Sequence, residues 1–236
     1  MHDFGKIVYL GLQKSGSSFV NKFLSECCTL EEKKFRKHGA VKDTYSEDNF
    51  YFITIRHPIM LYSSLYRYGL DKKGGIYNNL KRGKKTKCYE SFDKFIDFLF
   101  EPSNASIIHP TYNKRIAEQI GLFSFRFLRL SLRSPLKKIK RKLANNENLI
   151  DLESDFITNY EMRNENLSFE LKKLSLETFP QYFDKKKVKN FLNQDIKINS
   201  SKSYHDVNLE SELEEISENF SFKESLLLSR YTASKC

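Results

Sequence analysis

The chain has 236 residues, 39% of them hydrophobic and 14% aromatic, which is enough apolar surface to build a substantial core in one domain. Its 20 Phe and 13 Tyr are spread along the whole length and argue against a long disordered tail, while 40 Lys and Arg against 30 Asp and Glu leave a formal charge of +10. That excess draws in polyanions: nucleotides, nucleic acid, acidic or sulfated glycans, or an anionic membrane face. The four cysteines, Cys27, Cys28, Cys88 and Cys236, have no CxxC or Cys/His metal spacing, so reduced thiols and no metal centre are expected. Met1 to Lys6 carries no leader-type pattern, and no stretch approaches the roughly 20 apolar residues that span a bilayer. The expectation is a cytoplasmic protein.

In chain order, Lys6 to Gly11 is a short apolar run ending at glycine, and Ser17 to Cys28 follows with Phe19, Val20, Phe23 and Leu24 at helical spacing. A second strand, Tyr51 to Arg56, leads through Pro58 into a helix carrying Leu61, Leu65 and Tyr68. Two strand-to-helix units predict an α/β fold with a central parallel sheet flanked by helices. Residues 69–90 are glycine-rich and basic and read as a mobile loop on the acceptor side, with Ser91 to Phe100 as the next helix. The segment 126–142 interleaves basic and apolar residues and must break at Pro135. Phe156 to Tyr160 reads as a strand and Leu167 to Leu176 as a helix. Another helix follows Asp184, then a polar loop spans Asn193 to Tyr204, and two helices close the chain, the first of them acidic from Glu210 to Glu218.

Chemistry concentrates between the first strand and helix, in Gly11-Leu-Gln-Lys14-Ser15-Gly16-Ser17-Ser18-Phe19. Backbone N–H groups at a helix start favour a phosphate there. A nucleotide-hydrolysing P-loop places lysine directly after its last glycine, but Ser17 holds that position and the lysine lies earlier, at Lys14. This arrangement resembles the phosphosulfate-binding loop of the sulfotransferases that use 3′-phosphoadenosine-5′-phosphosulfate (PAPS), roughly P-K-[ST]-G-[ST]-[ST]-[WF], with Gln13 in place of proline. Arg56-His57-Pro58 and Ser64 resemble the same family's 3′-phosphate site, with His57 where Asn or Asp is commoner and Ser63 as an alternate donor.

The resemblance implies a P-loop NTPase-like sulfotransferase architecture, with Ser15, Gly16, Ser17 and Ser18 around the 5′-phosphate, Phe19 beside adenine, and Arg56 and Ser64 on the 3′-phosphate. Lys14 would neutralise the leaving phosphate, and adenosine 3′,5′-bisphosphate would be the product, with no metal required. His38, in a Lys-His pair, is the candidate base, with a pKa suited to removing the acceptor proton. His57, His109 and His205 are weaker candidates. Arg163-Asn-Glu165-Asn-Leu167 resembles a family helix-start element, and Asn199 and Lys202 resemble a segment that closes over the donor.

The acceptor is expected to be a hydroxyl- or amine-bearing molecule, with a glycan or other anionic compound favoured; oligomeric state is open. Two rival readings stand. One is a P-loop-type kinase or NTPase; the other is a nucleic-acid or membrane-surface binding module built on 81–87 and 126–142, with peripheral membrane contact the more plausible part.

Overall fold

A computed structural model describes residues 1–41, 45–194 and 218–233. Five strands form one mixed sheet in the order β3-β1-β2-β4-β5: β1 His2–Asp3, β2 Ile7–Leu10, β3 Lys34–Phe35, β4 Phe50–Ile55 and β5 Tyr160–Arg163. The three longer strands are parallel, with Ile7 opposite Phe50 and Phe52 opposite Tyr160. The two-residue strands β1 and β3 pair antiparallel at the edge, so the sheet is not wholly parallel as expected. The reason lies at Gly5, whose φ of 82° in the left-handed region turns the chain back from β1 into β2.

Alternate residues of the parallel strands enter two separate cores, the signature of a sheet covered on both faces. Val8, Leu10, Tyr51, Ile53 and Ile55 pack on one side; Ile7, Tyr9, Phe52 and Met162 pack on the other. The second face is covered by α1 Ser17–Cys27, through Val20, Phe23 and Leu24. The first face carries α2 Pro58–Leu70, through Leu61, Tyr62 and Leu65. The helices after β2 and β4 therefore leave toward opposite faces from neighbouring parallel strands. That divergence opens a crevice beyond the carboxyl ends of the strands.

Several elements depart from the expectations. Within 69–90, α3 spans Gly75–Arg82 and a 3-10 turn spans Thr86–Glu90, because Ile76 and Leu80, one helical turn apart, both bury against the first core. The strand expected at Phe156–Tyr160 begins at Tyr160, and Phe156 makes only an isolated bridge to Leu132. Between these, α4 Phe92–Phe100, capped by the Ser91 side chain, leads through α5 Ala105–Ile108 and α6 Lys114–Gln119 into α7 Leu122–Ser131 and α8 Pro135–Ala144. Pro135 starts α8 rather than kinking one long helix, and Ser134 takes up the turn at φ 53°.

The chain continues through α9 Leu167–Lys173, which passes into a π-turn, and α10 Lys185–Leu192, capped by Asp184. Of the closing helices, α11 Glu218–Lys223 and α12 Ser225–Ala233 are described, while Glu210 to Glu215 lie outside the described residues. Cys27, Cys28 and Cys88 are free thiols; Cys236 lies outside the described residues. No described helix is long and apolar enough to cross a membrane.

Candidate functional site

The loop after β2 turns through two left-handed residues, Lys14 at φ 68° and Gly16 at φ 82°. Gly16 is the residue before α1, and a Cβ there would meet the amide nitrogen of Asn164 and a methyl of Leu167. No side chain caps this helix and no acidic residue sits in its first turn, so its leading N–H groups and positive end have no local anion.

Ser15 is placed differently from the expectation. Its side chain is fully buried; Oγ donates to the Leu12 carbonyl at 2.9 Å and lies 2.7 Å from Thr54 Oγ1, which is 2.6 Å from the Tyr9 hydroxyl. A carbonyl can only accept, so Ser15 spends its one hydrogen there, Thr54 donates to Ser15, and Tyr9 donates to Thr54. The Ser15 hydroxyl thus bolts the loop to β4 and does not line the site.

The other loop residues expected at the site do come together. Lys14, Gly16, Ser17, Ser18 and Phe19 line a cavity of about 580 Å³ that also contains His38, Arg56 and Ser64. Adjacent parallel strands explain the meeting of the two motifs, since the ends of β2 and β4 are neighbours in the sheet. His57 precedes Pro58 with an extended ψ of 130°, the conformation a following proline imposes, and this sends α2 away from the sheet end. Ser64 lies one turn and a half into α2 and reaches the cavity; Ser63, the alternate donor, is buried at 2% exposure and does not line it. Phe19 is half-buried and meets Phe191 edge-on at 5.3 Å, which leaves it at the cavity wall.

Among the described residues, the cavity lining carries Lys14, Lys37, His38 and Arg56 and no Asp or Glu. Burial, then the neighbouring Arg56, push the Lys14 ammonium down to about 8, with Asp71 opposing and Lys37 adding to the fall. The Lys14 Nζ stands 4.1 Å from the centre of the Tyr68 ring. Burial also lowers Arg56, opposed by Glu165, and its Nε is buried with no hydrogen-bond partner among the described residues. Cations crowded on a lining that carries no described carboxylate, with Asp71 and Glu165 nearby but outside it, favour an anion there.

His38 is half-buried rather than solvent-facing. Its Nδ1 lies 2.7 Å from the Gly11 carbonyl, so Nδ1 carries the proton and Nε2 presents a lone pair. Burial holds its pKa below the usual value, with Lys37 and Arg126 adding to the effect and the Gly11 bond opposing it. Its φ of 53° makes it, with Lys14, a second non-glycine left-handed residue on this cavity.

Among the weaker candidates, His57 packs edge-on to Tyr231 at 5.3 Å, His109 lines an adjoining cavity, and His205 lies outside the described residues. Asn199 and Lys202 also lie outside the described residues. Arg163 bonds the backbone carbonyl of Tyr231 and stacks on its ring at 4.1 Å, a structural role. Among the described residues there is no group of three His, Cys, Asp or Glu side chains that could hold a metal ion.

Lys37, Tyr68, Gly74 and Asn164 line the cavity without having been singled out. Tyr68 had a signal, four residues after Ser64 on the same helix face. Asn164 follows β5, whose parallel pairing with β4 puts it beside the end of β4; that pairing is not readable from spacing alone. The basic segment 126–142 does not form one solvated stripe: Arg126 and Arg129 turn inward, Lys138 pairs with Asp155 at 2.8 Å, and Lys142 pairs with Glu147 at 2.6 Å.

No protein-family model matches the chain, and no curated protein or solved structure matches it.

Proposed function

We propose that the chain is a PAPS-dependent sulfotransferase with a P-loop-like donor site. The observation that carries this reading is the convergence of the Lys14 loop, Arg56 with Ser64, and His38 on one cavity lined by cations and, among the described residues, by no carboxylate. A 3′,5′-bisphosphate presents two anions, and the cavity lining carries anion-binding groups for both: the start of α1 with Lys14, and Arg56 with Ser64.

In the reaction an acceptor oxygen or nitrogen forms a bond to sulfur while the bond from sulfur to the 5′-phosphate oxygen breaks. The electron pair stays on the phosphate, where Lys14 offsets the charge, and the acceptor proton passes to His38 Nε2. Transfer of this kind depends mainly on positioning and charge stabilisation, and the chemistry needs no metal ion.

The kinase or NTPase alternative requires preference for ATP with Mg²⁺. Thermal-shift ranking of adenosine 3′,5′-bisphosphate against ATP with Mg²⁺ tests the choice, and sulfuryl transfer from labelled PAPS to an acceptor panel tests the activity. Preference for ATP, or no response to the bisphosphate, would sink the sulfotransferase reading. The inward-facing Arg126 and Arg129 and the paired Lys138 and Lys142 weigh against a nucleic-acid or membrane module built on that segment.

A further inference from the structure

A second cavity, of about 250 Å³, adjoins the first at Gln13, Lys37 and His38, and its remaining lining includes His109, Arg126 and Arg129. A third, of about 180 Å³, shares Gln13, His109 and Arg126 with it. His38 therefore stands where the donor-side cavity meets a continuous recess, and among the described residues no Asp or Glu lines that recess.

The two arginines lie on one side of α7, whose apolar residues Phe123, Phe125, Phe127 and Leu128 are fully buried. Neither makes an ion pair among the described residues, and Arg126 Nη1 and Arg129 Nε are buried with no hydrogen-bond partner there. Neutral partners hold them: Arg126 is 5.1 Å from the Phe123 ring, and Arg129 is 5.7 Å from the Phe125 ring with its Nη1 3.0 Å from His109 Nε2.

Glu224, the carboxylate whose charge reaches Arg126, is committed elsewhere. Its Oε1 accepts from the Tyr62 hydroxyl at 2.5 Å and the Phe123 N–H at 3.1 Å, and its Oε2 accepts from the Ser124 N–H and hydroxyl at 2.8 Å each. Burial, then the charges of Arg129 and Arg126, push His109 down to about 4, so it is neutral at pH 7. Desolvation likewise lowers Arg126 to about 10. With Glu224 hydrogen-bonded elsewhere, the buried guanidinium nitrogens of Arg126 and Arg129 that lack partners are left for an anion in the recess to complete.

We infer that this recess is the acceptor site, and that it takes an acceptor bearing a carboxylate or sulfate group, which Arg126 and Arg129 hold while its hydroxyl or amine reaches His38. What happens at His38 rests on the sulfotransferase reading; anion binding by the two arginines does not.

Isothermal titration of the full chain, with and without saturating adenosine 3′,5′-bisphosphate, tests this with three matched probes: glucose, glucuronate and glucose 6-sulfate. At least one anionic probe is expected to bind roughly tenfold or more tightly than glucose, the scale of one charge-assisted hydrogen bond. Arg126→Met and Arg129→Met should each cut that preference roughly tenfold and leave bisphosphate affinity unchanged. Arg129→Met carries the test should Arg126→Met fail to fold.

A chain that binds the bisphosphate but takes all three probes equally overturns the anionic-acceptor site alone. An anion preference that both variants leave intact overturns it as well. A chain that prefers the anionic probe yet ignores the bisphosphate overturns the donor reading and leaves the arginine site standing.

Discussion

His38 Nδ1 and the Gly11 carbonyl oxygen are 2.7 Å apart, and because a carbonyl can only accept, this contact fixes the imidazole tautomer with Nε2 unprotonated. The same loop that bears Lys14 thus orients the group across the cavity from it. In the proposed reaction, one short stretch of backbone would hold both the base and the leaving-group cation.

The acid limb of the rate profile follows from this contact. Burial lowers the His38 pKa from 6.5, and in the proposed reaction the neutral ring is the active form, so kcat/KM should rise with pH and reach half its plateau below pH 6.5. His38→Ala should flatten that limb and cost about a hundredfold or more in rate. Initial rates of sulfuryl transfer from pH 5 to 9 check this; an acid limb unchanged in the variant removes His38 as base.

The alkaline limb belongs to Lys14. A lysine pushed down to about 8 is charged below that pH and neutral above it, so kcat/KM should fall as pH rises through about 8. Lys14→Arg should move the fall to higher pH, since guanidinium stays charged. Lys14→Ala should lower turnover by about a hundredfold while product affinity changes far less. Parallel pH–rate and product-titration measurements separate the two effects.

Arg56 and Ser64 should read the 3′-phosphate. Arg56→Met is expected to weaken adenosine 3′,5′-bisphosphate by roughly tenfold to a hundredfold, with Ser64→Ala milder. Adenosine 5′-monophosphate, lacking that phosphate, should bind the variants and the parent alike. Equal losses for both nucleotides in calorimetric titration would place Arg56 in general loop support.

Ser15→Ala tests the corrected role of that serine. It strands the Thr54 hydroxyl proton and the Leu12 carbonyl inside the protein, a loss of about 1–3 kcal/mol. Urea denaturation should show the loss. If the hydroxyl instead contacts phosphate, bisphosphate affinity falls and stability does not.

Gly16→Ala strains a backbone at φ 82° and crowds Asn164 and Leu167. The left-handed penalty alone is about 1–2 kcal/mol. Adding Asn164→Ala should relieve only the crowding against Asn164, leaving Leu167 and the left-handed backbone. Full recovery of the melting temperature in the double variant would show that the conformation itself costs little.

The local motifs were legible because each depends on neighbours in sequence. An apolar run, a glycine before a helix and a proline at its start specify strand, loop and helix by periodicity and backbone sterics, whereas the choice of Lys14, Ser17, Arg56 and Ser64 within them rests on resemblance to the PAPS-dependent sulfotransferase motifs. Residues 69–90 misled because glycines and lysines dominate their composition, while the burial of Ile76 and Leu80 that orders α3 is a tertiary event. Ser15 misled for the same reason: a hydroxyl in a phosphate-type loop looks exposed until β4 supplies Thr54 as its partner.

Strand pairing alone decided that β4 lies between β2 and β5, and hence that Asn164 meets Gly16. Burial alone decided that Arg126 and Arg129, two charges within a basic run, turn inward beside His38. Short-range sterics act between sequence neighbours and can be read from them. Desolvation and charge pairing depend on what the fold brings from elsewhere, so the Lys14 loop was visible in the sequence and the arginine recess was not.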